Sequence, residues 1–293
     1  MVAKKTKTLL LISAWIAILS VSDLPSVIWF SFLNKQDFSY WIPFSQFLGI
    51  GLALAMTFIS EELHPVRGFI WALLAFIMGE WISFGLQSTD TWTSFTYSIS
   101  ADKKMLMRVF LSLIPCVLMT LTLSGSGIGR KELFLRRGDL KAPGSIPFRS
   151  RPVSWAVIGP SLLIIFTLPL ILQLALTLHP DFSMGKKVMA AMPVILAFSV
   201  INAATEEFRF RSVLIARLRP VVGQWHVLLL CAALFGIGHW FGHPSGLSGM
   251  LLTGFASVVW GKSMIDTKGF FWPWLIHMVQ DVAIVSMIVM TAA

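Results

Sequence analysis

The chain reads as an all-α protein, a polytopic transmembrane bundle of about eight to nine helices, on three observations. Its 293 residues are 56% apolar and only 13% charged. A soluble domain carries about a quarter charged residues, so this chain has too little charge to cover a water-facing surface. The apolar residues also come in runs long enough to cross a bilayer, which takes roughly 20 mostly apolar residues per helix. Finally, several of the 12 tryptophans sit near the ends of those runs (Trp41, Trp71, Trp155, Trp225, Trp272). An indole ring suits the membrane interface, where one edge is wet.

In chain order the runs are Thr8–Leu33, Trp41–Ile59, Val66–Leu86, Met105–Leu123, Val153–Leu178, Lys187–Leu218, Gln224–Phe241, Gly246–Ile265 and Phe271–Met290. The first contains Asp23 and Pro25 and is expected to kink there. Lys4, Lys5 and Lys7 precede it, yet the run is long and lacks a small-residue cleavage site. It is therefore expected to be an uncleaved span rather than a signal peptide. Cys116 and Cys231 lie in apolar runs and read as small core hydrophobes. There is no internal repeat of the kind that marks many transporters.

The net charge of +9 raises the question of nucleic acid, but the positive-inside rule accounts for it better. With the N-terminus in the cytoplasm and every run crossing, 17 of the 23 Lys and Arg residues fall on the inner side. Seven of those lie in the stretch Gly125–Pro152, read as a basic cytoplasmic loop at the anionic leaflet. That stretch divides the chain into an N-terminal bundle (1–124), the loop (125–152) and a C-terminal core (153–293). No organelle signal is visible, so a multi-pass protein of the plasma membrane is expected, with lipid as its solvent and no nucleic-acid partner.

A charge inside a span costs about 2.5–3.5 kcal/mol on insertion scales, so intramembrane ionisable residues are functional candidates. Glu206, Glu207, Arg209 and Arg211 lie in one run. Glu207 and Arg211 are spaced i, i+4 and are expected to pair on one helix face. Glu206 points about 100° away from Glu207 and is free to face something else. His239 follows small residues in the next run, at a depth matching Glu206 if the two runs form a hairpin turning near Arg219–Gly223. His277 and Asp281 are i, i+4 in the last run. Together these groups suit hydrolysis of an acyl bond by two routes. Glu206 and His239 can activate water while His277 and a protonated Asp281 donate to the oxyanion. Alternatively, Glu206, His239, His277 and Asp281 can hold zinc, whose bound water attacks.

Other polar residues read as structural. Arg209, Arg217 and Arg219 are expected to snorkel or to sit in loops. His243 is expected in a turn, and His64, His179 and His226 have nothing at ligand spacing. Glu61 and Glu62 are followed by Pro65, and Arg67 is one residue too far to repeat the Glu207–Arg211 spacing. Asp23 and Glu80 are lone intramembrane acids, expected to be satisfied structural groups or to line a cavity.

Glu206-Glu207-x-x-x-Arg211, then Phe235-x-x-x-His239, then His277-x-x-x-Asp281 resembles the three-motif signature of the CPBP family. That family groups CaaX prenyl endopeptidases with bacterial Abi-type and bacteriocin-processing or immunity proteins. The resemblance covers roughly Lys187–Met290. Leu133–Lys141 also resembles the loop that often precedes this core. It implies an intramembrane peptidase acting on a membrane-associated peptide or protein, with Glu206 as the base and His239 assisting. His277 and Asp281 would form the oxyanion site, with Glu207 and Arg211 as a supporting pair. No cofactor is implied; zinc is the alternative. Better-characterised CaaX endopeptidases carry Asn where this chain has Asp281, and Asp donates only while protonated, which favours the metal route somewhat. A non-catalytic immunity or scaffold protein retaining the fold is the other reading, and loss of Glu206 or His239 would have marked it.

Overall fold

The computed structural model describes residues 2–145, 151–242 and 244–291. His243 and Arg149 lie outside them. The chain is almost entirely helical. Its helices are α1 (Val2–Val21), α2 (Leu24–Val27, continued by a π-turn at Ile28–Phe32), α3 (Trp41–Ile59), α4 (His64–Gln87), α5 (Asp90–Tyr97), α6 (Ala101–Leu111) and α7 (Leu113–Leu123). A two-residue antiparallel ladder follows, pairing β1 (Pro143–Gly144) with β2 (Val153–Ser154). The remaining helices are α8 (Trp155–Leu178), α9 (Gly185–Glu207, continued by a π-turn at Phe208–Ser212), α10 (Val213–Val222), α11 (Gln224–Gly238), α12 (Gly246–Thr267) and α13 (Phe271–Thr291).

Among the described residues, seven helical segments are long and apolar enough to cross a membrane, or eight if a bent pair counts as one span. The bent pair is the first run. It breaks by 54° between Val21 and Leu24, where Pro25 lacks the N–H that would continue the α1 ladder. The run Gly246–Ile265 does form a helix, α12, but is not among the seven. Its serines and glycines, with Lys262 and Asp266 in its last turns, dilute its apolar character. The helix α5 lies between expected runs, and its first turn is capped by the Thr89 hydroxyl, which accepts from Trp92 N at 3.2 Å.

The chain folds into two compact units, each assembled from three segments. One comprises Met1–Trp81, Pro115–Leu133 and Phe208–Gly261. In it α1 packs on α3 and α11, and α10 packs on α11. The α10–α11 turn falls at Gly223, whose φ of 91° suits a residue with no Cβ. Gly79 lets α4 approach the backbone of Pro115 in α7, where any side chain would collide. Arg217 is half-buried and donates to the Thr122 carbonyl at 2.9 Å, whereas Arg219 is exposed. Arg67 donates to Thr57 and stacks on Phe58 at 4.2 Å. Cys231 is fully buried and, like Cys116, is a free thiol.

The other unit comprises Ile82–Ile114, Phe134–Glu207 and Lys262–Ala293. Here α13 packs against α9 and α8, and α6 packs against α9. The α9–α13 seam is filled by Val188, Ile195, Val285 and Val289. At the other end of α13, Trp272 packs with Trp155 and Ala142. Gly159 of α8 lies flush against the Trp272 ring.

A methyl group at position 159 must displace that ring, and overpacking of this kind costs about 1–3 kcal/mol. Gly159→Ala is therefore expected to lower the thermal midpoint in detergent. Gly51→Ala, with no neighbour within 4 Å of the added carbon, is expected to leave it unchanged or raise it. Equal midpoints for the two variants would contradict the α8–α13 packing.

Candidate active site

Four of the residues singled out by sequence meet in the second unit. They come from two helices, the last turn of α9 and the middle of α13. Both helices are apolar along the seam below the site, and that seam sets their spacing. Their register is pinned by Trp274, whose indole N–H donates to the Val200 carbonyl at 3.2 Å. The end of α9 is held from a third side. Ser112, which ends α6, donates to the Thr205 hydroxyl at 3.0 Å, and Thr205 donates to the Asn202 carbonyl at 3.0 Å.

The centre of the cluster is the His277 imidazole, which is buried. Its Nδ1 lies 2.9 Å from Glu207 Oε1. Its Nε2 lies 3.4 Å from Glu206 Oε2 and 3.7 Å from Asp281 Oδ1. The far oxygen of Asp281, Oδ2, accepts from the Asn202 side-chain amide at 3.1 Å. Each ring nitrogen thus has its own carboxylate environment. A carboxylate on Nδ1 orients an imidazole and leaves Nε2 facing the reactive side.

The two adjacent glutamates are not equivalent. The Glu207 side chain is 0% exposed, while that of Glu206 is 19% exposed. The roughly 100° step between helix neighbours sends one into the packed seam and leaves the other at its edge. Only the second can meet a water molecule without unpacking the helices.

Glu207 hydrogen-bonds His277, and the residues from Phe208 to Ser212 form a π-turn. Arg211 is fully buried, with its guanidinium 4.2 Å from the Phe235 ring centre and 4.7 Å from that of Trp260. Arg209 corrects the sequence reading outright. It is neither a snorkelling nor a loop cation: it is buried and ion-paired with Glu80. A guanidinium at this depth needs an anion, and α4 supplies one.

His239 belongs to the first unit. It sits where α11 tightens into a 3₁₀ turn (His239–Phe241) and is half-buried. Its Nδ1 is 2.9 Å from the Phe235 carbonyl one turn back, and its ring lies 4.3 Å from that of Phe235. Asn202 is a site residue that sequence reasoning missed. A signal was present: it is an amide in an apolar run, one helical turn before Glu206 on the same face. Among the described residues, no group of three or more His, Cys, Asp or Glu side chains is arranged to hold a metal ion.

Residues 188–283 match the family model described as Type II CAAX prenyl endopeptidase Rce1-like. The chain thus carries an Rce1-like domain, and the matched stretch contains Asn202, Glu206, Glu207, Arg211, His239, His277 and Asp281. No curated protein and no solved structure matches the chain.

Glu207→Leu removes the acceptor on His277 Nδ1, and a buried donor stripped of its partner costs about 1–3 kcal/mol. A lower thermal midpoint is expected, together with loss of the hydrogen-bonded Nδ1–H resonance of His277 in the histidine NMR spectrum. An unchanged resonance would remove Glu207 from its orienting role.

Proposed function

We propose that this protein is an intramembrane endopeptidase that hydrolyses a peptide bond of a membrane-associated peptide or protein. The observation that carries this reading is the division of labour around His277. One glutamate is sealed against Nδ1, and the other stands at the exposed edge beside Nε2. The Rce1-like match over residues 188–283 supports the same reaction class.

In this reading Glu206 is the general base. Its carboxylate takes a proton from a water molecule as the water oxygen attacks the scissile carbonyl carbon. The carbonyl oxygen becomes an oxyanion, which accepts from the Nε2–H of His277 and from the carboxyl O–H of a protonated Asp281. The proton held by Glu206 then passes to the leaving amine as the C–N bond breaks. Glu207 keeps the imidazole oriented, and Asn202 keeps one Asp281 oxygen occupied so that the other faces the reaction. His239 is assigned as the assisting group on its motif alone. Arg211 is assigned as a supporting residue that stiffens the turn after the acid pair.

We place the protein in the plasma membrane with its N-terminus in the cytoplasm, from the Lys and Arg distribution. The basic stretch 125–152 would then lie at the inner leaflet.

The test is cleavage of a membrane-peptide library by purified protein in lipid nanodiscs. Loss of a general base removes about 10²–10⁴-fold in rate, so Glu206→Gln is expected to abolish measurable turnover at an unchanged thermal midpoint. His239→Ala is expected to do the same. Normal cleavage by both variants would end the assignment. Chelator is expected to have no effect; inhibition reversed by zinc would replace glutamate chemistry with the metal route.

Asp281 offers a finer check. Asn at this position can both accept from Asn202 and donate to an oxyanion. Asp281→Asn is therefore expected to retain activity within about tenfold, and Asp281→Leu to lose it. An inactive Asp281→Asn would show that Asp281 acts as an anion and not as a donor.

A further inference from the structure

The first unit carries an intramembrane acid that neither the fold nor the proposed reaction uses. Asp23 lies at the 54° break of the first span. A residue at that position often caps the following helix through its side chain, but Asp23 makes no such bond. Among the described residues its carboxylate has no hydrogen-bond or ion-pair partner. Its electrostatic neighbour is another acid, Glu80. Asp23 is exposed, so its carboxylate is open to a ligand.

The location is specific. Asp23 Oδ2 lies 3.3 Å from the point where a Cβ would stand on Gly238, the residue before His239. The break itself is firmly built. Gln46 donates to the Ser22 carbonyl at 2.9 Å and accepts from the Trp81 indole at 2.8 Å. Beyond the break, Ser31 accepts from the Trp240 indole at 2.8 Å, and Phe30 meets Phe241 edge-on. The segment that presents Asp23 is thus fastened to the turn that presents His239.

The sign of this carboxylate indicates what the site accepts. Arg209 is committed to Glu80 and is not its counter-ion. A lone intramembrane carboxylate is costly and persists where it serves a ligand or a pathway. We propose that Asp23 is a specificity residue: it forms an anionic subsite beside His239 that receives a cationic side chain, Lys or Arg, of the peptide substrate. The proposal rests on the endopeptidase reading for the identity of the ligand as a peptide. The subsite itself stands on the geometry of the first unit.

The experiment reads binding separately from cleavage. Neutral membrane peptides in nanodiscs carry one Lys or one Gln at successive positions, and their affinity is measured on Glu206→Gln protein. A hydrogen-bonded charge pair is expected to favour Lys at one position by about tenfold or more over Gln. Adding Asp23→Asn is expected to bring that ratio to about one, with affinity for the Gln peptide unchanged. Because the carboxylate makes no structural hydrogen bond, Asp23→Asn is also expected to keep the thermal midpoint. A Lys preference that survives Asp23→Asn, no preference at any position, or a midpoint that falls with the substitution would each overturn the proposal. A Lys preference lost with Asp23, alongside no cleavage of any peptide by the unsubstituted protein, would keep the subsite and end the protease reading. Cleavage that depends on Glu206 without any Lys preference would do the reverse.

Discussion

An imidazole enclosed away from bulk water must have its polar edges filled by the protein, and the arrangement around His277 follows from that requirement. Three carboxylates approach one ring, at 2.9, 3.4 and 3.7 Å. Such a cluster exists only if α9 and α13 hold a fixed spacing and register. A shift of one residue along either helix turns the side chain through about 100°, which would carry a charge from the cluster into the apolar seam or out to lipid. The valine and isoleucine packing along the seam and the Trp274–Val200 hydrogen bond prevent that shift. Apolar packing supplies the rigidity, and the polar cluster supplies the selection of a single register.

The start of α13 is held with comparable care. The loop after α7 folds back on the α12–α13 turn, where Asp139 N donates to the Thr267 carbonyl at 2.8 Å and Phe270 N to the Arg136 carbonyl at 2.8 Å. Gly138 and Gly269 meet with no room for a side chain on either. Beside them Asp266 accepts from Lys262 and, at 3.1 Å, from the Trp155 indole. This clasp is polar and local, and it lies only two turns before His277. The position of the His277 imidazole is therefore set from both ends of its helix. Leu133–Lys141 supplies half of the clasp.

The first unit meets the same electrostatic constraint by different means. Arg209 finds an anion, Glu80. Arg211 lies over two aromatic rings, whose faces attract a guanidinium. Both arginines belong to the π-turn after Glu207. A π-turn widens the helix by one residue per hydrogen-bonded turn and often marks functional sites. Here it changes the direction in which successive side chains leave the helix directly after the acid pair. Asp23 stands apart from these two solutions because, among the described residues, its carboxylate has no ion-pair partner.

The amino-acid sequence alone determined the solvent and the helical class, and it singled out most residues of the buried cluster. Those properties depend on composition, run length and short spacing, and each can be read along one strand of text. The i, i+4 relation of His277 and Asp281 is of this kind, as is the break near Pro25. Tertiary structure decided the partnerships. Glu207 is one residue from Glu206 and four from Arg211, and nothing local says that it binds the ring of His277, 70 positions later. The same holds for Arg209 with Glu80, 129 positions apart, and for Asn202 with Asp281. Such contacts depend on how helices pack, which is a sum over many weak apolar interactions. Local spacing predicts which face a side chain occupies, but only packing decides what stands opposite that face.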